Sequence, residues 1–248
     1  KLFRTSSLGK FMCIESQFLE LREKYQYLFF EKKDDAYFIS GTIFIEKDDI
    51  KDRYEVEIRV ALDYPNRVPT VKEIGSKIVS TFHHNPDGTL CLEAPLAVHE
   101  IFRANETLLN FTDNLLIPYL YVHSYYIKNG KLPFGEHAHG AEGILEDYKK
   151  RFQIADDLVV VKLLQILAEN IYRGHLPCPC VSGKNLRSCH GQYLLRLIGV
   201  RFNFMKDYLE ILAWLKKAKN FDVTPFFSKR VKGVLDQIKA NPDHKWSY

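Results

Sequence analysis

Two stretches of the chain hold residues whose types and spacing can do chemistry. The first, Pro177-Cys178-Pro179-Cys180-Val181-Ser182-Gly183-Lys184-Asn185-Leu186-Arg187-Ser188-Cys189-His190-Gly191, gathers three thiols and one imidazole. Structural zinc wants four soft or borderline ligands in a tetrahedron, and Cys178, Cys180, Cys189 and His190 supply four, with Gly183 allowing the turn between the pairs. Redox-active or simply buried cysteines are the other reading. A module this small needs its metal to hold a fold, and four protein ligands leave no position for a substrate, which predicts a structural Zn²⁺. The second stretch is His83-His84-Asn85-Pro86-Asp87-Gly88-Thr89-Leu90-Cys91-Leu92-Glu93. An accessible Cys91 thiolate would be a nucleophile. His83 and His84 could move a proton or lower the thiol pKa, Asp87 could accept a proton, and Asn85 could donate to an oxyanion. Gly88 suits a turn conformation that other residues resist. A lone cysteine is more often a small buried hydrophobe, so chemistry alone leaves Cys91 open.

The elements that must position these residues can be read from periodicity. Phe11, Ile14, Phe18, Leu19 and Leu21 have helical spacing, with Cys13 expected in the core of that helix. Runs at 25–30, 37–46 and 54–62 are rich in β-branched and aromatic residues, and the third alternates apolar with charged positions. The short polar links Lys32-Lys33-Asp34-Asp35 and Lys47-Asp48-Asp49 favour an antiparallel meander, because parallel neighbours need long crossovers. Residues 75–104 read as one long irregular loop, the kind that is usually functional. A helix is expected from Asn105 as N-cap through Leu116, kinked or ended at Pro118 and resuming over 119–126. Residues 146–153 read as the end of the first domain. Beyond them, 158–171, 192–217 (one helix or two) and 229–240 read as helices. The fold class is α+β over 1–152, followed by a mainly α-helical domain over 153–248.

Composition narrows the setting. The chain has 248 residues, 46% hydrophobic and 27% charged, enough apolar content to exclude wholesale disorder. No apolar run is long enough to span a membrane, the N-terminus lacks a signal-peptide pattern, and five cysteines do not make a secreted disulfide framework, so a cytoplasmic protein is expected. Residues 153–248 hold 15 Lys/Arg against 8 Asp/Glu, a net of +7, and residues 1–152 a net of −3. A solvated helical surface explains that surplus as well as an acidic partner does. Nucleic-acid binding is not expected, since no interleaved basic and aromatic pattern supports it.

Two resemblances add to this reading. The run Cys-x-Cys-x8-Cys-His at 178–190, with Ser182-Gly183-Lys184 inside it, resembles the SEC-C zinc motif found at the C-terminus of the secretion ATPase, which implies the same four zinc ligands. The order of helix, meander, Tyr64-Pro65-Asn66-Arg67-Val68-Pro69, histidine-asparagine loop, Gly88-Thr89-Leu90-Cys91-Leu92 and helix, over about residues 10–130, resembles the ubiquitin-conjugating (UBC) enzymes. The tripeptide His83-His84-Asn85, a shorter gap to Cys91, and Phe102 where a tryptophan is expected look more like the prokaryotic branch. The segment Gly130–Gly143, with His137 and His139, is also similar to that branch. These two histidines either close over the site or serve a surface or capping role.

Members of that branch are found in antiphage operons, including CBASS, beside a cyclic-oligonucleotide synthase. The resemblance implies a four-stranded meander with Cys91 as the thioester-forming cysteine, aided by His83, His84, Asn85 and Asp87. It further implies a transferase acting in antiviral defence. The acyl donor would be a protein partner with an activated C-terminus, the synthase or a ubiquitin-like protein, and the acceptor an amine. With no phosphate-binding glycine loop in the chain, a separate partner must activate that donor. The alternative is a catalytically silent domain of the same fold that scaffolds a partner protein.

Overall fold

The computed structural model describes residues 13–79, 82–85, 87–133, 140–200 and 202–240. Pro86, His137 and His139 lie outside the described residues, as does Phe11. The chain separates into two compact units, one made of 1–92 with 104–133 and the other of 93–103 with 134–248.

In the first unit, α1 (Ile14–Lys24) buries Ile14, Gln17, Phe18 and Leu21. Cys13 is not a core residue: it is exposed at the N-cap of α1, its Sγ 3.1 Å from Ser16 Oγ. It precedes the first turn, off the stripe that Ile14, Phe18 and Leu21 form. Four strands follow, β1 (Leu28–Lys32), β2 (Ala36–Lys47), β3 (Ile50–Ala61) and β4 (Thr70–Glu73), in the antiparallel order β1-β2-β3-β4. The two-residue Asp48-Asp49 link closes β2 on β3, with Lys47 opposite Ile50 and Asp48 at φ 54°, the backbone a tight hairpin requires. The alternation that marked β3 is the pleat itself: Tyr54, Val56, Ile58 and Val60 are buried, while Arg53, Glu55, Glu57 and Arg59 lie on the other face.

Gly41 sets how β1 meets β2. Its φ is 143°, and a Cβ there would lie 2.0 Å from the Tyr27 carbonyl oxygen. Gly41→Ala is expected to destabilise the first unit by about 3 kcal/mol, the cost of a strained backbone plus a displaced strand end. Urea unfolding followed by tyrosine fluorescence measures it, and a change under ~0.5 kcal/mol would contradict this account.

The long loop expected over 75–104 ends early, at a helix the pattern did not suggest. α2 (Pro95–Ala104) buries Leu96, His99 and Phe102 at helical spacing, and belongs mostly to the second unit. Proline at its start is favourable, since an N–H in the first turn has no acceptor within the helix and proline carries none. The next helix starts two residues later than Asn105: Thr107 is the N-cap of α3 (Leu108–Phe111), its hydroxyl accepting from Asn110 N at 3.1 Å. A π-helical turn, Thr112–Leu116, then joins α3 to α4 (Ile117–Asn129). That wider turn lets Pro118 sit in the first turn of α4, and the helix runs on to a left-handed Gly130 cap. Tyr64, beside the Pro65 of the Tyr-Pro segment, donates to Gln17 Oε1 at 2.7 Å, and the same oxygen accepts Leu108 N at 3.0 Å.

In the second unit, α5 (Gly140–Phe152), α6 (Asp157–Ala168), α7 (Gly191–Ile198), α8 (Phe204–Lys219) and α9 (Lys229–Ala240) enclose an apolar core. Asp156 caps α6 by accepting from Val159 N at 3.0 Å. The span 192–217 is two helices. The compact units do not coincide with a division at 152, because Ile144, Leu145, Tyr148 and Phe152 of α5 share the core with α6 and α8. No helix among the described residues is long and apolar enough to cross a membrane.

Candidate functional site

The Cys91 loop hangs from the last strand of the sheet. Leu90 N donates to Val71 O at 2.8 Å, and His84 and Leu90 form an antiparallel bridge. Cys91 N donates to His83 O at 2.7 Å, which fixes the backbone under the thiol. The loop tip is tied by Asn85 N to Thr89 O and by Gly88 N to Asn85 O, with Gly88 at φ 79° in open space where only the backbone conformation calls for glycine. Cys91 is partly exposed and forms no disulfide.

The four neighbours named from sequence share this loop but do different things. His84 Nδ1 lies 2.7 Å from Phe82 O. A carbonyl can only accept, so Nδ1 carries the proton and Nε2 of the neutral ring keeps its lone pair, which makes His84 a proton acceptor. His83 sits at φ 42°, a left-handed backbone that turns its carbonyl toward Cys91 N. Asn85 Nδ2 donates to Thr89 Oγ1 at 2.9 Å and to Leu90 O at 3.4 Å, so its amide braces the loop. Asp87 Oδ1 accepts from Thr89 N at 3.0 Å and Thr89 Oγ1 at 2.7 Å. Burial pushes this carboxyl up, but the Thr89 hydrogen bonds and nearby Lys72 outweigh it and hold it below the usual carboxylate range. An acid so held is a weak base.

Helix α4 supplies residues that sequence reading passed over. Tyr119 OH donates to Phe82 O at 3.1 Å and His83 O at 3.2 Å, so the carbonyl that holds Cys91 N also receives a phenol. Burial, then the negative charge of Cys91, raises the Tyr119 phenol well above its ordinary range, which keeps it a neutral donor. One turn on, His123 is buried, its ring 4.8 Å from that of Phe82. The available signal was the Tyr119-x-x-x-His123 spacing, which places two polar rings on one helical face.

The second cluster lies in the second unit. The ligand atoms of Cys178, Cys180, Cys189 and His190 all lie within 4.8 Å of one another. Cys178 Sγ and Cys189 Sγ are each 3.3 Å from His190 Nδ1, and Cys180 Sγ is 3.4 Å from each of the other two sulfurs. A tetrahedron with metal–sulfur bonds of about 2.3 Å has edges of roughly 3.7 Å, so the four can hold a metal ion with small adjustments. His190 Nε2 is 3.0 Å from Phe152 O, to which it must donate, and this leaves the Nδ1 lone pair facing the thiols. Burial holds the Cys178 thiol up; burial also pushes Cys180 up, but its contacts with the Ser182 hydroxyl and amide outweigh this and hold it down. No other group of three or more potential ligands occurs among the described residues.

No protein-family model matches this chain, and no curated protein matches it either.

Proposed function

We propose that the first unit is a UBC-like acyl transferase acting through Cys91, in antiviral defence of the CBASS type, and that the second carries a structural SEC-C-like zinc site. The observation that carries the proposal is the loop after a four-stranded meander. It holds a partly exposed cysteine whose N–H is anchored on His83 O, beside a histidine whose Nε2 can accept a proton. In this reading the Cys91 thiolate attacks the activated C-terminal carbonyl of a partner protein and expels the activating group, forming a thioester. An amine then adds to the thioester carbonyl, its proton passes to His84 Nε2, and the tetrahedral intermediate collapses to an amide with release of the Cys91 thiolate. Asp87 and Asn85 act by shaping the loop. The donor would be a cyclic-oligonucleotide synthase or a ubiquitin-like protein, and the setting cytoplasmic.

Zn²⁺ bound by Cys178, Cys180, Cys189 and His190 would neutralise the thiolates and cross-link the segment that leads into α7. A second reading, the silent scaffold, draws on one observation: the Asn85 amide donates within the loop, to Thr89 Oγ1 and Leu90 O, where an oxyanion donor would need it unengaged.

One experiment separates the two. The chain is co-expressed with its genomic neighbours and examined on non-reducing gels and by intact mass spectrometry. A reductant-labile adduct, absent from Cys91→Ala, is expected, with loss of transfer by at least about a thousandfold, the scale on which removing a nucleophile acts. A folded wild-type protein with no adduct beside an activated donor would overturn the transferase and leave the scaffold.

A further inference from the structure

We propose that Cys180 is an oxidation site: hydrogen peroxide reacts at its sulfur, Cys189 closes on it as a disulfide, and the metal held by the cluster is released. Contact, exposure and an exposed neighbour single out this pair. Cys180 Sγ is 3.4 Å from Cys178 Sγ and 3.4 Å from Cys189 Sγ, so it faces both of the other sulfurs. Cys178 is buried, whereas Cys180 and Cys189 are partly exposed. The exposed Ser182 hydroxyl lies 3.2 Å from Cys180 Sγ and 3.5 Å from Cys189 Sγ, which marks the side on which a small polar oxidant meets both.

Covalent geometry favours Cys189 over Cys178 as the partner. A disulfide needs a Cβ–S–S–Cβ dihedral near ~90° and room for its two Cα atoms. Cys178 and Cys180 flank Pro179, whose fixed φ stiffens the short ring that such a bond would close. Cys180 sits inside the turn closed by the Pro177–Asn185 bridge, and Cys189 lies beyond it, so their bond closes a longer and less constrained ring. Reaching a bond of about 2.05 Å from the present contact moves the sulfurs by roughly 1.4 Å.

The chemistry balances with peroxide as the oxidant. The Cys180 thiolate attacks one peroxide oxygen, the O–O bond breaks, and the departing hydroxide takes a proton to become water, leaving Cys180 as a sulfenic acid. The Cys189 thiolate then attacks Cys180 Sγ, the S–O bond breaks, and a second hydroxide leaves and is protonated to water. Two thiolates, two protons and one hydrogen peroxide give one disulfide and two waters, the sulfurs losing the two electrons that the peroxide gains. Cys178 and His190 alone then remain of the four ligands, too few to close a site around Zn²⁺. The release rests on the zinc reading above.

The test uses the whole chain with Cys13→Ser and Cys91→Ala, which silence the thiols outside the cluster. Bound zinc is measured first, and hydrogen peroxide is then added while a chromogenic chelator reports free zinc. Free thiols are alkylated before digestion. Trypsin cuts after Lys184 and Arg187, so a Cys180–Cys189 link joins two peptides while a Cys178–Cys180 link stays within one, and fragmentation locates the alkylated cysteine. One zinc released per disulfide is expected, with Cys178 recovered alkylated and the Cys180–Cys189 link exceeding any link through Cys178 by at least about tenfold. Zinc retained through a roughly hundredfold excess of peroxide, or a dominant link through Cys178, would overturn the proposal. A chain that carries no zinc as purified would refute the metal site and with it the release, while the peptide map still decides the disulfide.

Discussion

Replacing Cys178 with serine is expected to strip bound zinc from the chain and loosen the second unit around α7. Cys178 is buried, and Leu186 and Leu194, which flank the ligand pair Cys189-His190, are in the same core. His190 is both a candidate ligand and the residue that precedes the first turn of α7, so a bound metal would fix where that helix begins. In its absence three mutually facing thiols have only one another, Ser182 and the His190 imidazole as partners. Zinc contributes on the order of 10 kcal/mol where it alone organises a small fold. Here the apolar core shares the task, and about 4 kcal/mol, or a fall of roughly 10 °C in Tm, is the expected loss. Metal analysis should fall from one zinc per chain to near none, and amide exchange over 186–197 should accelerate. Unchanged Tm and exchange in a zinc-free variant would show that the cluster does not hold this unit together.

The second large effect concerns Asp207, fully buried in α8 with Tyr148 OH donating to its Oδ2 at 2.8 Å and its Oδ1 without a hydrogen-bond partner. Burial raises this carboxyl to about 7, against a smaller lowering by the Tyr148 hydrogen bond. Between its unfolded value of 3.8 and about 7 the folded chain therefore binds more protons than the unfolded one, and stability falls as pH rises through that window. The whole span is worth roughly 4 kcal/mol. His99 in α2 has the opposite slope: burial, with Arg103, lowers it from 6.5 to about 4, so stability falls as pH drops through that range, by roughly 3 kcal/mol. The two nearly cancel between pH 4 and 6.5.

Asp207→Asn keeps an acceptor for Tyr148 and removes the charge. It is expected to stabilise the protein at pH 8 by about 2 kcal/mol, the unpaired amide hydrogens offsetting part of the gain. It should also expose the acid-side loss that wild type masks. Urea unfolding at pH 5, 6.5 and 8 reads both arms, and a variant less stable than wild type at pH 8 would refute this account of Asp207.

What could be read from residues alone follows contact range. The meander was legible because Tyr54, Val56, Ile58 and Val60 alternate with charges, a pattern that only a half-buried strand requires. The metal cluster was legible because its four ligands fall within one short segment and need only a turn to meet. α2 was missed because Pro95 reads as a loop marker, and Leu96, His99 and Phe102 make a stripe with a polar member. Its histidine is buried, which composition does not forecast. The roles of Asn85 and Asp87 depend on where Thr89 places its hydroxyl, a matter of loop conformation. The Tyr54–His123–Ser124–Asp52 chain joins residues about 70 positions apart in sequence, and no local signal reports such a pairing.

The chain passes between its two compact units three times, after Leu92, Arg103 and Pro133. Modular proteins of beads on a string can be separated by one cut, but this one cannot. A fragment ending at 152 would keep α2 and α5 yet lose α8 and the Cys178–His190 segment, leaving Leu96, Ile144, Leu145 and Tyr148 without the core they help build. Evolutionary shuffling and laboratory truncation meet the same obstacle, because a piece that holds one unit whole, 1–133 or 93–248, also carries off part of the other.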